Sequence, residues 1–415
     1  MTTTPGDILL TNDVITNEAL LILRNDTVFL PRVAKNIDSL FGQVGYKNGS
    51  TVRVRIPVRY TMSQGQGINL NNTIETQTSV TLLQYNIGVE FTTEDLKLSI
   101  DEFSSRILEP QIVQIASGIE QAIGQTFLTG AQSLSTPGAY VNGAPAVITG
   151  AEVATLRPFN DIRARLREQS TPTKDVYVAI SPDTSAGVVD SLKGLFQDAT
   201  EIAKQYRMGV MGTTAGFDWL ESNCLPTFVS GTRLVAGGVV NGGGNAVVGS
   251  TITISNTDTG TITAGDMFVI NGVNAINPLT RASTGKLQVF TVQTATAFTA
   301  NSATVSVLPA INVTSPDQTV SAAAADGATV TWLANPGVSE LMNVAWHRDA
   351  VTFAVADLPT DLPGAVASMA RDPESGLAIR MLKQYQADTD LIYYRADVLF
   401  GVTLVRPVLA GKILA

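Results

Sequence analysis

Three residues around position 347 are the first place to look for chemistry. His347 is the single histidine of the chain, Asp349 follows it by two positions and Ser339 precedes it by eight. An imidazole, a carboxylate and a hydroxyl are the parts of a hydrolytic triad. Such a serine sits on a Gly-x-Ser-x-Gly turn, and Val338-Ser339-Glu340 provides none, so His347 is read as a residue that packs or hydrogen-bonds structurally. Gly285-Lys286 resembles the end of a phosphate loop. Leu287 stands where Ser or Thr must ligate magnesium, and Thr280 where the first glycine belongs, which excludes a nucleotide site. Gly65-Gln66-Gly67 lacks the third glycine of a dinucleotide fingerprint and follows no strand-to-helix turn, so it is read as a flexible hairpin tip. Asp388 with Asp390, and Asp357 with Asp361, offer two carboxylates each, few for calcium, in segments that read as turns. One cysteine, Cys224, is read as a small buried apolar residue. With one cysteine and one histidine, neither a disulfide framework nor a His/Cys metal cluster forms within a chain. No catalytic residue, cofactor or metal is expected.

Arg53, Arg55 and Arg59 are more informative. They alternate with Val52, Val54, Ile56 and Val58 around Pro57, just after the Asn48-Gly49 turn, which predicts a strand with one apolar and one arginine-bearing face. Pro57 argues for an edge strand, since it cannot donate to a ladder. Leu83, Tyr85, Ile87, Val89 and Phe91 alternate with polar residues and read as the return strand. The polar, glycine-bearing stretch 61–79 between them completes a hairpin that projects from the body and wants a partner. Guanidinium groups suit bidentate pairing with carboxylates, and a net charge of −9 supplies acids elsewhere. The three arginines are therefore expected at a subunit interface rather than on a merely solvated face.

The elements that position these residues are mixed. Residues 16–24 put Ala19, Leu20, Ile22 and Leu23 at helical spacing on an N-terminal arm. Ser99-Ile100-Asp101-Glu102 fits a capping box. A second helix is predicted from Pro110, with Gly130 as its stop, about 28 Å long, with Ile112, Ile115, Ile119, Ile123 and Phe127 in one stripe and Gln111, Gln114, Ser117, Gln121 and Gln125 opposite. Val176 to Ile180 reads as a buried strand, and residues 184–196 as a helix. From Pro226 to about Val330 charges become sparse, and short alternating runs recur at 251–254, 267–270, 287–292 and 303–308. This is the pattern of a separate all-β unit, and the mixed composition that resumes after Asn335-Pro336 marks it as inserted rather than appended.

Composition sets the outer limits. With 415 residues, 44% of them hydrophobic and 15% charged, the chain folds and exceeds what one core usually serves. The basic residues form no run that would neutralise a row of phosphates, so sequence-specific DNA binding is not expected. The start of the chain lacks the basic and apolar regions of a signal peptide, and no continuous apolar run is long enough to span a membrane. Synthesis and assembly in a cytoplasm are the expectation.

Seven segments together resemble the tailed-phage major capsid proteins, and among them the podophage coat proteins with an inserted β-barrel. They are Asn17-Glu18-Ala19-Leu20, Gly49-Ser50-Thr51-Val52-Arg53-Val54-Arg55, Ser99-Ile100-Asp101-Glu102-Phe103 and Gly216-Phe217-Asp218-Trp219. Thr284-Gly285-Lys286-Leu287-Gln288, the run from Asn343 to Ala350 and the run from Arg395 to Val402 complete the set. The resemblance implies an α+β chain with the tailed-phage/herpesvirus capsid fold. In that order the chain divides into an N-terminal arm (1–45), an extended-loop hairpin (46–95), a peripheral domain with the spine helix (96–135) and the first part of the axial domain (136–225). An inserted β-barrel-like domain (226–335) and a return to the axial and peripheral domains (336–415) follow.

The same resemblance implies a structural protein of the virion that makes an icosahedral shell of pentamers and hexamers around double-stranded DNA, passing through a procapsid. A portal protein is expected as a further partner, while the sequence leaves open whether a decoration protein binds outside. Because the arm-like segment lies close to Met1, a separate scaffolding protein is expected rather than a fused scaffold. The rival reading is a Thr/Ala-rich bacterial surface or adhesive protein, against which stand the missing signal peptide and the long internal helix.

Overall fold

The computed structural model describes residues 15–23, 27–35, 51–56, 58–60, 62, 64, 70, 76–92, 108–138, 140, 143–150, 153, 155–192, 212–234, 238–256, 260–314, 316–372 and 376–414. The chain divides into two compact units. The first takes Met1–Arg55, Gln77–Ile123 and Val351–Thr403, and the second Ile56–Thr76, Gly124–Ala350 and Leu404–Ala415. Among the described residues no helix is long and apolar enough to cross a membrane.

In the first unit, helix α1 (residues 15–23) buries Ile15, Ala19 and Leu23, the i, i+4, i+8 stripe of an amphipathic helix. The strands are β1 (Ala34–Lys35), β2 (Thr51–Ile56), β3 (Thr76–Thr81), β4 (Leu83–Thr92), β20 (Val351–Val355), β21 (Val366–Arg371), β22 (Ala378–Gln386) and β23 (Leu391–Leu404). One sheet runs β1-β20-β23-β22-β21, with β4 also paired to β23, while β2 and β3 form a two-stranded ribbon of their own. Helix α2 (Glu109–Gly130), of which the residues up to Ile123 belong to this unit, starts one residue before the predicted proline and buries the predicted stripe of Ile112, Ile115, Ile119, Ile123 and Phe127. Gln111 does not share the polar face expected of it: it is buried, and its amide donates to the Ile87 carbonyl at 2.7 Å.

The expected partner of β2 is corrected here. The return strand is β3, which begins within the stretch taken as the polar tip and runs two residues past it. Strand β4, the expected return strand, instead pairs antiparallel with β23 over ten residues, from Leu83 opposite Phe400 to Thr92 opposite Leu391. Alternation marks both segments as strands. It does not say that the 14-residue β23 offers a longer ladder and an aromatic face, where Tyr85 stacks on Phe400 at 4.6 Å.

The second unit holds two cores. One sheet runs β5-β24-β19-β6-β8-β7, from β5 (Ser133–Ser135), β6 (Val176–Ile180), β7 (Thr213–Thr214), β8 (Phe217–Glu221), β19 (Asn343–His347) and β24 (Ala410–Ile413). Helix α3 (Arg157–Glu168) lays Phe159, Ile162 and Leu166 into the same apolar cluster as Val178, Trp219 and Ile413. Helix α4 (Pro182–Leu192) follows β6, and Ser181 caps it by accepting from the Thr184 N–H at 3.2 Å. The other core is a closed six-stranded barrel in the order β10-β11-β16-β14-β13-β17. Its strands are β10 (Gly238–Val240), β11 (Gly249–Ser255), β13 (Met267–Ile276), β14 (Ser283–Val292), β16 (Ser302–Ile311) and β17 (Thr329–Trp332).

Inward side chains of all six strands, among them Val240, Ile254, Ile270, Phe290, Val305 and Trp332, fill the barrel, and closure leaves no unpaired sheet edge. A minor pair, β12 (Thr261–Ile262) with β15 (Thr296–Ala297), lies off the barrel. A ribbon of β9 (Thr227–Val229) with β18 (Ser339–Leu341) pairs the chain just before the barrel with the chain just after it.

Candidate functional sites: buried charges and exposed arginines

The most heavily buried polar residues are ones that the sequence did not single out. In the second unit, Arg233 and Asp266 are fully buried and ion-paired at 2.8 Å. The Asp266 carboxylate also accepts the backbone N–H groups of Thr263 at 2.8 Å and Gly231 at 3.1 Å. Gly231 is required there, since a Cβ would overlap the Thr261 carbonyl. The Arg233 guanidinium lies 4.2 Å from the Trp332 ring centroid, a cation–π contact on the barrel core.

On the far side Lys412 of β24 is fully buried and its ammonium approaches the Gly265 carbonyl at 3.4 Å. Burial pushes the Lys412 amine down to about 7, and the Asp266 charge opposes that. Burial likewise pushes the Asp266 carboxyl up, opposed by Arg233 and the N–H donors. No local signal in the sequence marked these charges, because burial and pairing arise only when distant segments close around them.

Two further buried carboxylates belong to the first unit. Asp397 of β23 is fully buried and accepts from Arg380 Nη2 at 2.6 Å, Arg395 Nε at 2.6 Å and Gln84 Nε2 at 3.1 Å, so it staples three neighbouring strands. Glu120 of α2 accepts the N–H of Val28 at 3.0 Å and of Phe29 at 2.8 Å. Burial pushes its carboxyl up to about 7 against those hydrogen bonds. These groups are consumed by protein partners and have the character of structural clamps.

Of the residues considered for chemistry, His347 closes β19 and its Nδ1 accepts the Asp349 N–H at 3.2 Å, while burial pushes its imidazole below the usual value. Ser339 opens β18 opposite Val229. Gly285-Lys286 lies within β14, where Lys286 ion-pairs with Glu168 of α3. Asp388 and Asp390 occupy the exposed turn between β22 and β23, and Asp357 pairs with Arg371 at 2.5 Å. Cys224 is half-buried. Among the described residues no group of three His, Cys, Asp or Glu side chains is placed to hold a metal. The capping box at 99–102 and the glycines at 65 and 67 lie outside the described residues.

The three arginines are not all on one strand. Arg53 and Arg55 are exposed on β2 and flank the buried Val54. The strand ends at Ile56, and Arg59 is half-buried in the second unit. It lines a cleft of about 600 Å³ together with Val58, Pro278, Leu279, Pro309 and Arg406.

A family model described as "P22 coat protein - gene protein 5" matches residues 13–415. No curated protein matches the chain. Among solved structures the chain is similar to "Mycobacterium phage Che8", with 12% identity over 93% of this chain and 90% of that one at a TM-score of 0.45. It is also similar to "Capsid of Ralstonia phage GP4", with 8% identity over 94% and 91% at 0.45. "Asymmetric unit of bacteriophage PhiM1 mature capsid" gives 11% over 94% and 86% at 0.43. The match over nearly the whole length shows that the chain belongs to the P22 coat protein family, the major capsid proteins whose copies assemble into the shell of a tailed phage.

Proposed function

We propose that this coat protein works by contact alone, with no catalytic step, and that Arg53, Arg55 and Arg59 act between subunits. The observation that carries the reading is the exposure of Arg53 and Arg55 on a two-stranded ribbon, where a guanidinium can pair bidentately with a carboxylate of another copy. Exposed acids such as Asp361 and Asp388 are present on each copy. The shell is proposed to be icosahedral, built of pentamers and hexamers through many weak contacts that let misplaced subunits leave. It would enclose double-stranded DNA without reading its sequence, as the acidic balance and the lack of a basic run suit. A separate scaffolding protein, a portal, a decoration protein and assembly in the host cytoplasm complete the proposal, as do the domain edges at 45, 95, 135, 225 and 335.

Replacing all three arginines with glutamine tests the central point. The subunit's melting temperature is expected to hold while shell yield falls, more steeply at low salt, where charge pairing is least screened. A large drop in melting temperature with normal shells would place those charges inside the subunit instead. Expression of the chain alone tests the scaffold: uniform closed shells without a partner would refute the need for one.

A further inference from the structure

We infer that Arg281, in the β13–β14 turn of the barrel, is a positioning residue that grips the chain at Tyr60, shortly after β2, so that the inserted barrel governs how that part of the chain meets a neighbouring copy. The inference rests on the reading above that Arg53, Arg55 and Arg59 act between subunits. The turn itself is rigid. Asn277 N donates to the Ala282 carbonyl at 3.0 Å and Arg281 N to the Asn277 carbonyl at 2.7 Å. The Asn277 side-chain oxygen accepts the Leu279 N–H at 2.9 Å and the Thr280 N–H at 3.2 Å.

The turn is also fastened to the end of α3. Asn277 Nδ2 donates to the Glu168 carbonyl at 3.0 Å, Ser170 Oγ donates to Asn277 Oδ1 at 3.2 Å, and Lys286 pairs with the Glu168 carboxylate. From this fixed base Arg281 Nη2 donates to the Tyr60 carbonyl at 3.1 Å. Among the described residues Arg281 Nε is buried without a hydrogen-bond partner. Leaving a guanidinium donor unmet is costly, a cost that an arginine pointing into solvent would avoid. Arg281 also sits at φ +59°, a left-handed conformation that disfavours side chains with a Cβ.

The segment held this way is unusual for its exposure. Tyr60 is 60% exposed, Met62 100% and Leu70 89%. Large apolar side chains left exposed mark an interaction surface, and in a shell-forming chain the partner of that chemistry is a second copy. Fixing this part of the chain in advance lowers the ordering entropy that docking would otherwise cost.

The test uses R281G, because glycine accepts φ +59° without strain and the turn survives loss of the side chain. In the unassembled full-length subunit, tryptic cleavage between Arg59 and Tyr60 is expected to rise roughly tenfold, the scale of one lost hydrogen bond from a charged donor. The melting temperature should not change, and R281K should restore most of the protection. Phage carrying R281G should yield shells of mixed or wrong size. Unchanged cleavage at Arg59 would overturn the clamp. Faster cleavage with normal shells would overturn barrel control of assembly, whereas the fate of the interface reading is decided separately by glutamine at Arg53 and Arg55.

Discussion

Lys412→Met isolates the buried amine at the barrel's root. Lys412 is fully buried, its pKa falls from 10.5 to about 7, and Met is similar in volume without the charge. In the folded chain the amine sheds its proton near pH 7, whereas in the unfolded chain it holds it up to 10.5. The unfolded state therefore binds more protons across that window, and stability rises with pH through it. Each pH unit inside the window is worth about 1.4 kcal/mol, so wild type should gain roughly 2 to 3 kcal/mol from this group between pH 7 and pH 9.

Lys412→Met should lack that slope. At pH 7 the variant is expected to be at least as stable as wild type, because an apolar replacement avoids desolvating the amine, and the advantage should shrink by about 2 kcal/mol by pH 9. Urea unfolding of the unassembled subunit, followed by tryptophan fluorescence, provides the measurement, since Trp332 faces the same cluster through Arg233. Parallel stability curves for the two proteins between pH 7 and 9 would refute the assignment of a buried, depressed amine to Lys412.

Three other outcomes follow from the same reasoning. Asp397→Asn leaves the buried Arg380 without its counter-charge and should cost about 3–5 kcal/mol, read by denaturant midpoint, whereas Arg371→Gln at the more exposed Asp357 pair should cost less than about 1 kcal/mol. Glu120, whose carboxyl is raised from 4.5 to about 7, binds more protons folded than unfolded between those values. Its contribution to stability is thus present in full below pH 4.5 and lost as pH rises to 7, roughly 3 kcal/mol in all, and Glu120→Gln should flatten that limb of the pH–stability curve. Gly401→Ala puts a Cβ onto the Thr81 carbonyl, which must force β23 away from the end of β3. A drop in melting temperature of several degrees is expected, at a cost of about 1–3 kcal/mol.

Several features could be read from the sequence because they are local. The runs at 251–254, 267–270, 287–292 and 303–308 all fall inside barrel strands, since an inward-facing β residue must be apolar at every second position whatever the partner strand is. The stripe on α2 was legible for the corresponding reason at helical period, and the ordered family-like segments identified the α+β capsid fold. Tertiary structure decided which strand pairs with which. Periodicity reports that a face is buried but not what buries it, and β4 finds β23 about 300 residues away in sequence.

The buried charges were likewise hidden. Arg233 meets Asp266 across 33 residues, Glu120 meets Phe29 across 91, and Lys412 reaches Gly265 across 147. A lone charge in sequence looks the same whether it ends in water or in a core, because desolvation and pairing are fixed only when distant segments close around it. Arg59 shows the same limit. Alternation placed it with Arg53 and Arg55, but the ladder of β2 stops at Ile56, and the residues beyond take their positions from the cleft they line.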